Sequence, residues 1–244
     1  MTRDPAFTLD DIKIEFQPGD SLLTAALANH RYIPHLCAHP DFSAHGSCRV
    51  CLVEVDGRNR PACTTAAQSG MTIRSNIEPL NAMRRQLLQL LFVEGNHFCP
   101  GCEQSGQCQL QATAYELGMA DLHYPPLNPR RKLDASHPDL LLDRDRCIGC
   151  ELCVKASSQV DQKHIFSLGG RGTGTQLVVN SEHNQLGETD MAADDRAAHV
   201  CPVGVILFKT GNYARVAGQR LYDQQPISAI GNHRAEDFDL PSTP

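Results

Sequence analysis

The chain has no tryptophan, only 5% aromatic residues, no excess of basic charge, and no apolar run near the roughly 20 residues that cross a bilayer. Without a long apolar run, no membrane span is expected. Residues 1–10 offer neither a basic n-region nor an apolar h-region, so no secretory leader is predicted and the expected location is cytoplasmic. With 22 Lys and Arg against 28 Asp and Glu, the net charge of −6 argues against a nucleic-acid surface and for a protein partner. The shortage of aromatics in 244 residues that are 41% apolar suits two or three small modules rather than one large core. Each module then needs something besides hydrophobic burial to hold it together.

Eleven cysteines supply it. An odd number cannot close into disulfides alone, and in a reducing compartment clustered thiols more often bind metal. By spacing they sort into Cys37-x10-Cys48-x2-Cys51-x11-Cys63, Cys99-x2-Cys102-x5-Cys108, and Cys147-x2-Cys150-x2-Cys153-x47-Cys201-Pro202. Soft sulfide-bridged iron needs thiolates, and a Cys-x2-Cys turn lets two converge while backbone N–H groups point at the sulfurs.

In the third group, three thiolates within seven residues cap one face of a cubane and the remote Cys-Pro closes the fourth corner, which predicts 4Fe–4S. The first group has the four thiolates of a 2Fe–2S site in a strand-rich segment. The middle group lacks a fourth ligand, and His97, two residues before Cys99, is the candidate, with His123 and His45 as outside choices. The competing reading for the first and third groups is tetrahedral zinc, for His97 a solvated or core side chain, and for the whole chain a zinc-stabilised interaction module.

The first 75 residues read as a small α/β module. Residues 12–16 alternate like a strand, Asp20 is a candidate N-cap for a helix carrying Leu22, Leu23, Ala26 and Leu27, and Asp56-Gly57 predicts a hairpin between 51–55 and 60–63. Residues 71–74 add a strand. A helix with Leu80, Met83, Leu87, Leu88 and Leu91 on one face is predicted over 77–93, with Gly95-Asn96 as its stop, and a shorter one over 107–117. The proline- and charge-rich stretch 124–133 marks a module boundary. Residues 169–174 lack phosphate-loop spacing and predict a hairpin turn into 176–179. The last 30 residues are polar and read as a tail or docking arm.

The ordered triplet of cluster motifs over about residues 5–210 resembles the N-terminal region of the large iron–sulfur subunit of NADH:quinone oxidoreductase (complex I), shared with iron-only hydrogenases and with diaphorase subunits of soluble hydrogenases. That family usually carries His-x3-Cys at the middle cluster, whereas here position 95 is glycine and the motif is Gly95-Asn96-His97-Phe98-Cys99. This form is similar to that of the small diaphorase subunit of NAD-reducing nickel–iron hydrogenases. Chain length fits it too, since the larger relatives continue into catalytic domains.

The resemblance implies an α+β protein of four segments. Residues 1–77 form a β-grasp 2Fe–2S ferredoxin domain (Cys37, Cys48, Cys51, Cys63), and 78–125 a short helical 4Fe–4S module (His97, Cys99, Cys102, Cys108). Residues 126–210 form a ferredoxin-like 4Fe–4S module (Cys147, Cys150, Cys153, Cys201), followed by 211–244 as a C-terminal arm. It further implies one 2Fe–2S and two 4Fe–4S clusters, with FMN, NAD(H) and the nickel–iron centre on partner subunits only. Those partners are a flavoprotein and the small and large hydrogenase subunits, the whole catalysing H2 + NAD+ ⇌ H+ + NADH. The equivalent subunit of an NAD-dependent formate dehydrogenase or of a complex I variant is the alternative. No residue of this chain is expected to act as acid, base or nucleophile.

Overall fold

The computed structural model describes residues 5–211, 213 and 215–232. Strand β1 (Ala6–Leu9) turns at Asp10 and Asp11, both left-handed, into the antiparallel β2 (Ile12–Glu15). Phe7, Leu9 and Ile14 point inward. Helix α1 (Leu22–Ala28) follows, but its N-cap is Ser21, not Asp20. Ser21 Oγ accepts from the Thr24 N–H at 3.0 Å, while the Asp20 carboxylate accepts from the Gln17 N–H at 2.8 Å one turn earlier. Only Ser21 combines extended backbone with a reach of three residues to an orphan N–H.

β3 (Leu52–Val55) and β4 (Arg58–Pro61) form the expected hairpin; Asp56 and Gly57 both have positive φ, the requirement of a two-residue primed turn. β5 (Thr72–Arg74) lies between β1, to which it is parallel, and β3, giving a mixed sheet in the order β2-β1-β5-β3-β4. Leu22, Leu23, Val53, Val55 and Ile73 fill the core between sheet and helix.

α2 (Glu78–Glu94) buries Leu80, Arg84, Leu88 and Phe92, so its inward face is rotated from the expected stripe and leaves Met83 37% exposed. Arg84 causes the rotation. Its guanidinium donates to the carbonyls of Val50 (3.2 Å), Leu52 (2.7 Å) and Ser75 (2.8 Å), to Ser75 Oγ and to Asn81 Oδ1, clamping the helix to the hairpin. α3 (Gln109–Glu116) ends before Gly118, which is left-handed. Residues 124–133 contain no regular element but are tied down, the Leu127 N–H to Val93 O and the Arg131 N–H to Asp145 Oδ1.

β6 (Leu140–Leu142), α4 (Leu152–Gln159), β7 (Phe166–Gly169), β8 (Gln176–Val179), α5 (Arg196–His199) and β9 (Ile206–Phe208) complete the C-terminal part as two small antiparallel pairs, β6-β9 and β7-β8, with two helices. The glycine run 169–174 is the β7-β8 turn. A second apolar core runs from Leu36, Cys37 and Val50 through Leu88, Phe92 and Leu110 to Leu140, Leu152 and Ile206.

Residues 215–232, expected in a tail or arm, pack back onto the molecule. The Tyr222 N–H donates to Gly106 O, helix α6 (Ile227–Ile230) buries Ile227 completely, and Asn232 Nδ2 bonds both His35 O and Gln109 Oε1. The rest of that segment, 233–244, lies outside the described residues. Among the described residues no helix is long and apolar enough to cross a membrane.

Candidate iron–sulfur sites

The three cysteine groups form three separate sites. In the first, the β3-β4 hairpin pairs Leu52 with Pro61, so the Ala62 N–H bonds Cys51 O and Cys63, the next residue, brings its thiol to that of Cys51, while the loop after α1 brings Cys37 and Cys48 together. The Cys48 N–H points at Cys37 Sγ at 3.4 Å. The thiols act in two donor–acceptor pairs. A hydrogen bond from Cys48 draws Cys37 down to about 6 and pushes Cys48 up, and a hydrogen bond between Cys51 and Cys63 raises the former and lowers the latter. Thiolate character in half of the set is what a cationic iron pair would use.

The middle site is a space lined by His97, Cys99, Cys102 and Cys108, with Phe92, Gln111, Arg146 and Gly204. A 3-10 turn over Cys99–Gly101 directs Cys99 and Cys102 inward, and Cys108 caps α3 with extended backbone. The His97 ring stacks edge-on against Phe92 at 5.4 Å, and its Nε2 is buried with no hydrogen-bond partner among the described residues. Burial, then Arg146 and Arg131, hold its pKa down at about 4, so at neutral pH it is a neutral imidazole with a free donor atom. A metal ligand needs that form, and an orphaned buried nitrogen beside three thiols fits an iron cluster. Gly95 makes room for the ring: a Cβ there would stand 2.6 Å from His97 Cδ2 and 2.9 Å from Asp145 O.

The third site is lined by Cys147, Cys150, Cys153 and Cys201 with Ile148, Leu168, Leu177, Val203 and Val205. Gly149 and Glu151, both left-handed, alternate with the first cysteines and turn successive sulfurs to one side. The Gly149 N–H reaches Cys147 Sγ at 3.4 Å, and the Leu152, Val154 and Val203 amides face Cys150, Cys153 and Cys201. Burial pushes all four thiols up, Cys201 to about 11, so this apolar wall disfavours bare thiolates and accepts them once their charge is shared with a metal.

Among the described residues, no three His, Cys, Asp or Glu side chains gather closely enough for a single metal ion. Thiols spread around a shared space rather than converged on one point suit a multi-atom cluster better than one zinc. His45 lies apart from the middle site, 2.9 Å from Lys155 Nζ and 3.9 Å from Glu151, and His123 is exposed beyond Gln89, to which its N–H donates. Arg146 escaped the sequence reading, and Gly95 was read as a helix stop and motif residue rather than as the space for the His97 ring. The only signal for Arg146 was its place beside Cys147.

Three family models match in chain order: a 2Fe-2S iron–sulfur cluster binding domain over residues 4–78, the NADH-ubiquinone oxidoreductase-G iron–sulfur binding region over 84–123, and a 4Fe-4S single cluster domain over 140–208. The gamma subunit of the NAD-reducing hydrogenase HoxS of Cupriavidus necator is 37% identical over 223 residues, 91% of this chain and 94% of that protein. The alpha subunit of the NADPH-Fe(3+) oxidoreductase of Geobacter sulfurreducens is 32% identical over 84% of this chain, which spans 24% of that protein. Among solved structures, a chain of an NAD+-reducing NiFe-hydrogenase in the H2-reduced state superposes with a TM-score of 0.90 at 50% identity, covering 93% of this chain and 97% of that one.

Proposed function

The chain belongs to the family of the gamma subunit of NAD-reducing hydrogenase, and from that we propose that it is the electron-transfer subunit of the diaphorase part of such an enzyme. In this reading it relays electrons between a flavoprotein subunit that exchanges hydride with NAD(H) through FMN and the hydrogenase small subunit beside the nickel–iron subunit. Its modules are 1–77, 78–125, 126–210 and the arm 211–244. The first is a β-grasp domain, a reading supported by the helix packed on a mixed sheet with β1 and β5 parallel at its centre.

Cys37, Cys48, Cys51 and Cys63 hold a 2Fe–2S cluster; His97, Cys99, Cys102 and Cys108 hold one 4Fe–4S cluster and Cys147, Cys150, Cys153 and Cys201 another. The matching donor count of the second and third sites, four side chains around each, supports two clusters of one type. Bound clusters supply one-electron redox chemistry. The chain's residues fix their positions, aim amide N–H groups at the sulfurs and exclude water with apolar walls. A cytoplasmic setting suits thiolates that must stay reduced.

The observation that carries the relay is that the third thiol set neighbours both of the others, Cys37 standing within electrostatic reach of Cys150. Cys150 and Cys153 share an apolar core with Cys37, and Arg146, the residue before Cys147, touches Cys102 Sγ at 3.4 Å. The test is anaerobic purification of the native complex, iron and sulfide analysis, and EPR after separate addition of H2 and NADH. About ten irons assignable to this chain, reduced by both donors, are expected. Reduction by NADH but not by H2 in an active complex would move the assignment to a formate dehydrogenase or complex I type of enzyme.

A further inference from the structure

We propose that Arg146 sets the redox potential of the middle centre, acting as a fixed cation on the Cys102 sulfur. The inference rests on the cluster assignment above. Arg146 ends the turn that Asp143 caps and threads its side chain from beside the third site into the wall of the second. There Nη1 donates to Cys102 Sγ at 3.4 Å and to Glu103 Oε2 at 2.5 Å, while Nε pairs with Asp143 Oδ2 at 2.7 Å. Gly204 gives it passage, since a Cβ at that position would stand 3.1 Å from Nη1. The side chain is 17% exposed, so solvent screens it little.

Three thiolates and a neutral imidazole give this site one negative charge fewer than a four-thiolate site. Accepting one electron adds one negative charge to the centre. A guanidinium hydrogen-bonded to a ligand sulfur stabilises that added charge and raises the potential, because net charge and hydrogen bonds to sulfur are the levers that tune such centres. Glu103 works against it: its carboxylate shares Nη1 with the sulfur and offsets part of the positive charge. Arg146 and Glu103 therefore pull the same couple in opposite directions.

The experiment is a potentiometric EPR titration of the purified complex carrying Arg146→Gln, Arg146→Lys or Glu103→Gln in this subunit. In R146Q, the reduced-to-oxidised ratio of the middle centre at fixed ambient potential is expected to fall at least tenfold, or 59 mV for a one-electron couple. R146K falls by less, and E103Q rises. The 2Fe–2S centre stays in place. A merely structural role would not give shifts of opposite sign. An unchanged middle centre in R146Q, equal falls in R146Q and R146K, or shifts of one sign in R146Q and E103Q would overturn the proposal. If R146Q fails to load the centre, E103Q decides alone: a rise supports the proposal and no change refutes it. A wild-type complex without a third centre would instead sink the cluster assignment on which the proposal stands.

Discussion

Replacing Gly95 with alanine adds one methyl group, and the structure predicts that this empties one site of three. The backbone at Gly95 has φ −107° and ψ −174°, open to any residue, so alanine meets no strain. By unfolded-state entropy alone the change would stabilise the chain by about 0.4–1 kcal/mol. The added Cβ, however, would stand 2.6 Å from His97 Cδ2 and 2.9 Å from Asp145 O. Carbon contacts settle at about 3.5–4.0 Å, so the overlap is roughly 1 Å. Asp145 O accepts the Asn96 N–H at 2.8 Å and cannot retreat without losing that bond. The imidazole must yield, whereas metal–ligand distances tolerate only about 0.2 Å. Overpacking of this kind costs about 1–3 kcal/mol, which reverses the sign of the entropic gain. Iron per chain should fall from about ten to about six, with loss of the middle centre's EPR signal alone. Gly174→Ala is the control, because nothing lies within 4 Å of its Cβ position. Full iron and an unchanged middle signal in G95A would refute the reasoning.

His97→Cys should keep the middle cluster but lower its potential, since thiolate adds a negative charge, whereas His97→Ala should lose or labilise that cluster only; iron analysis and EPR distinguish the two. Arg84→Met should destabilise the protein by about 3 kcal/mol or more, because it strands the carbonyls of Val50, Leu52 and Ser75, and Arg84→Lys should recover little of this in denaturant titration. Asp223 is held down at about 2, against 3.8 for a free Asp, chiefly by its hydrogen bonds from Arg220. A depressed folded-state pKa stabilises above the unfolded value and is lost as pH falls through the folded one, so the arm should loosen between about pH 4 and 2. Pepsin cleavage within 216–232 should accelerate across that window, and Asp223→Asn should abolish the dependence. The isolated chain should not oxidise NADH; flavin-dependent turnover by the purified subunit would contradict this.

The cysteine groups were legible because ligand spacing is a one-dimensional property, and Asp56-Gly57 because a primed turn constrains two adjacent residues. What escaped depends on three-dimensional neighbours. Apolar periodicity placed α2 but not its inward face, since nothing in a hydrophobic pattern marks Arg84 as buried; its burial follows from carbonyls left over by a hairpin some thirty residues earlier. Strand β1 was passed over because only four residues carry it, and its pairing with β5 spans the whole first module. The arm looked like a tail because its contacts are single anchors, Ile227 and Asn232, rather than a periodic face. Asp20 and Ser21 are both good caps, and one residue of backbone geometry chose between them.

The arm also constrains how the subunit is built. Arg220 packs on Gly106 and the Tyr222 N–H bonds its carbonyl, so the arm lies against the loop that carries Cys102 and Cys108, although it is synthesised long after that loop. Cys201 likewise reaches the third site only when most of the chain exists. The middle thiols, half-buried in the finished fold, are thus synthesised before the arm that packs beside them. Packing of the arm onto the Gly106 loop therefore links the last-made segment of the chain to the geometry of the middle site.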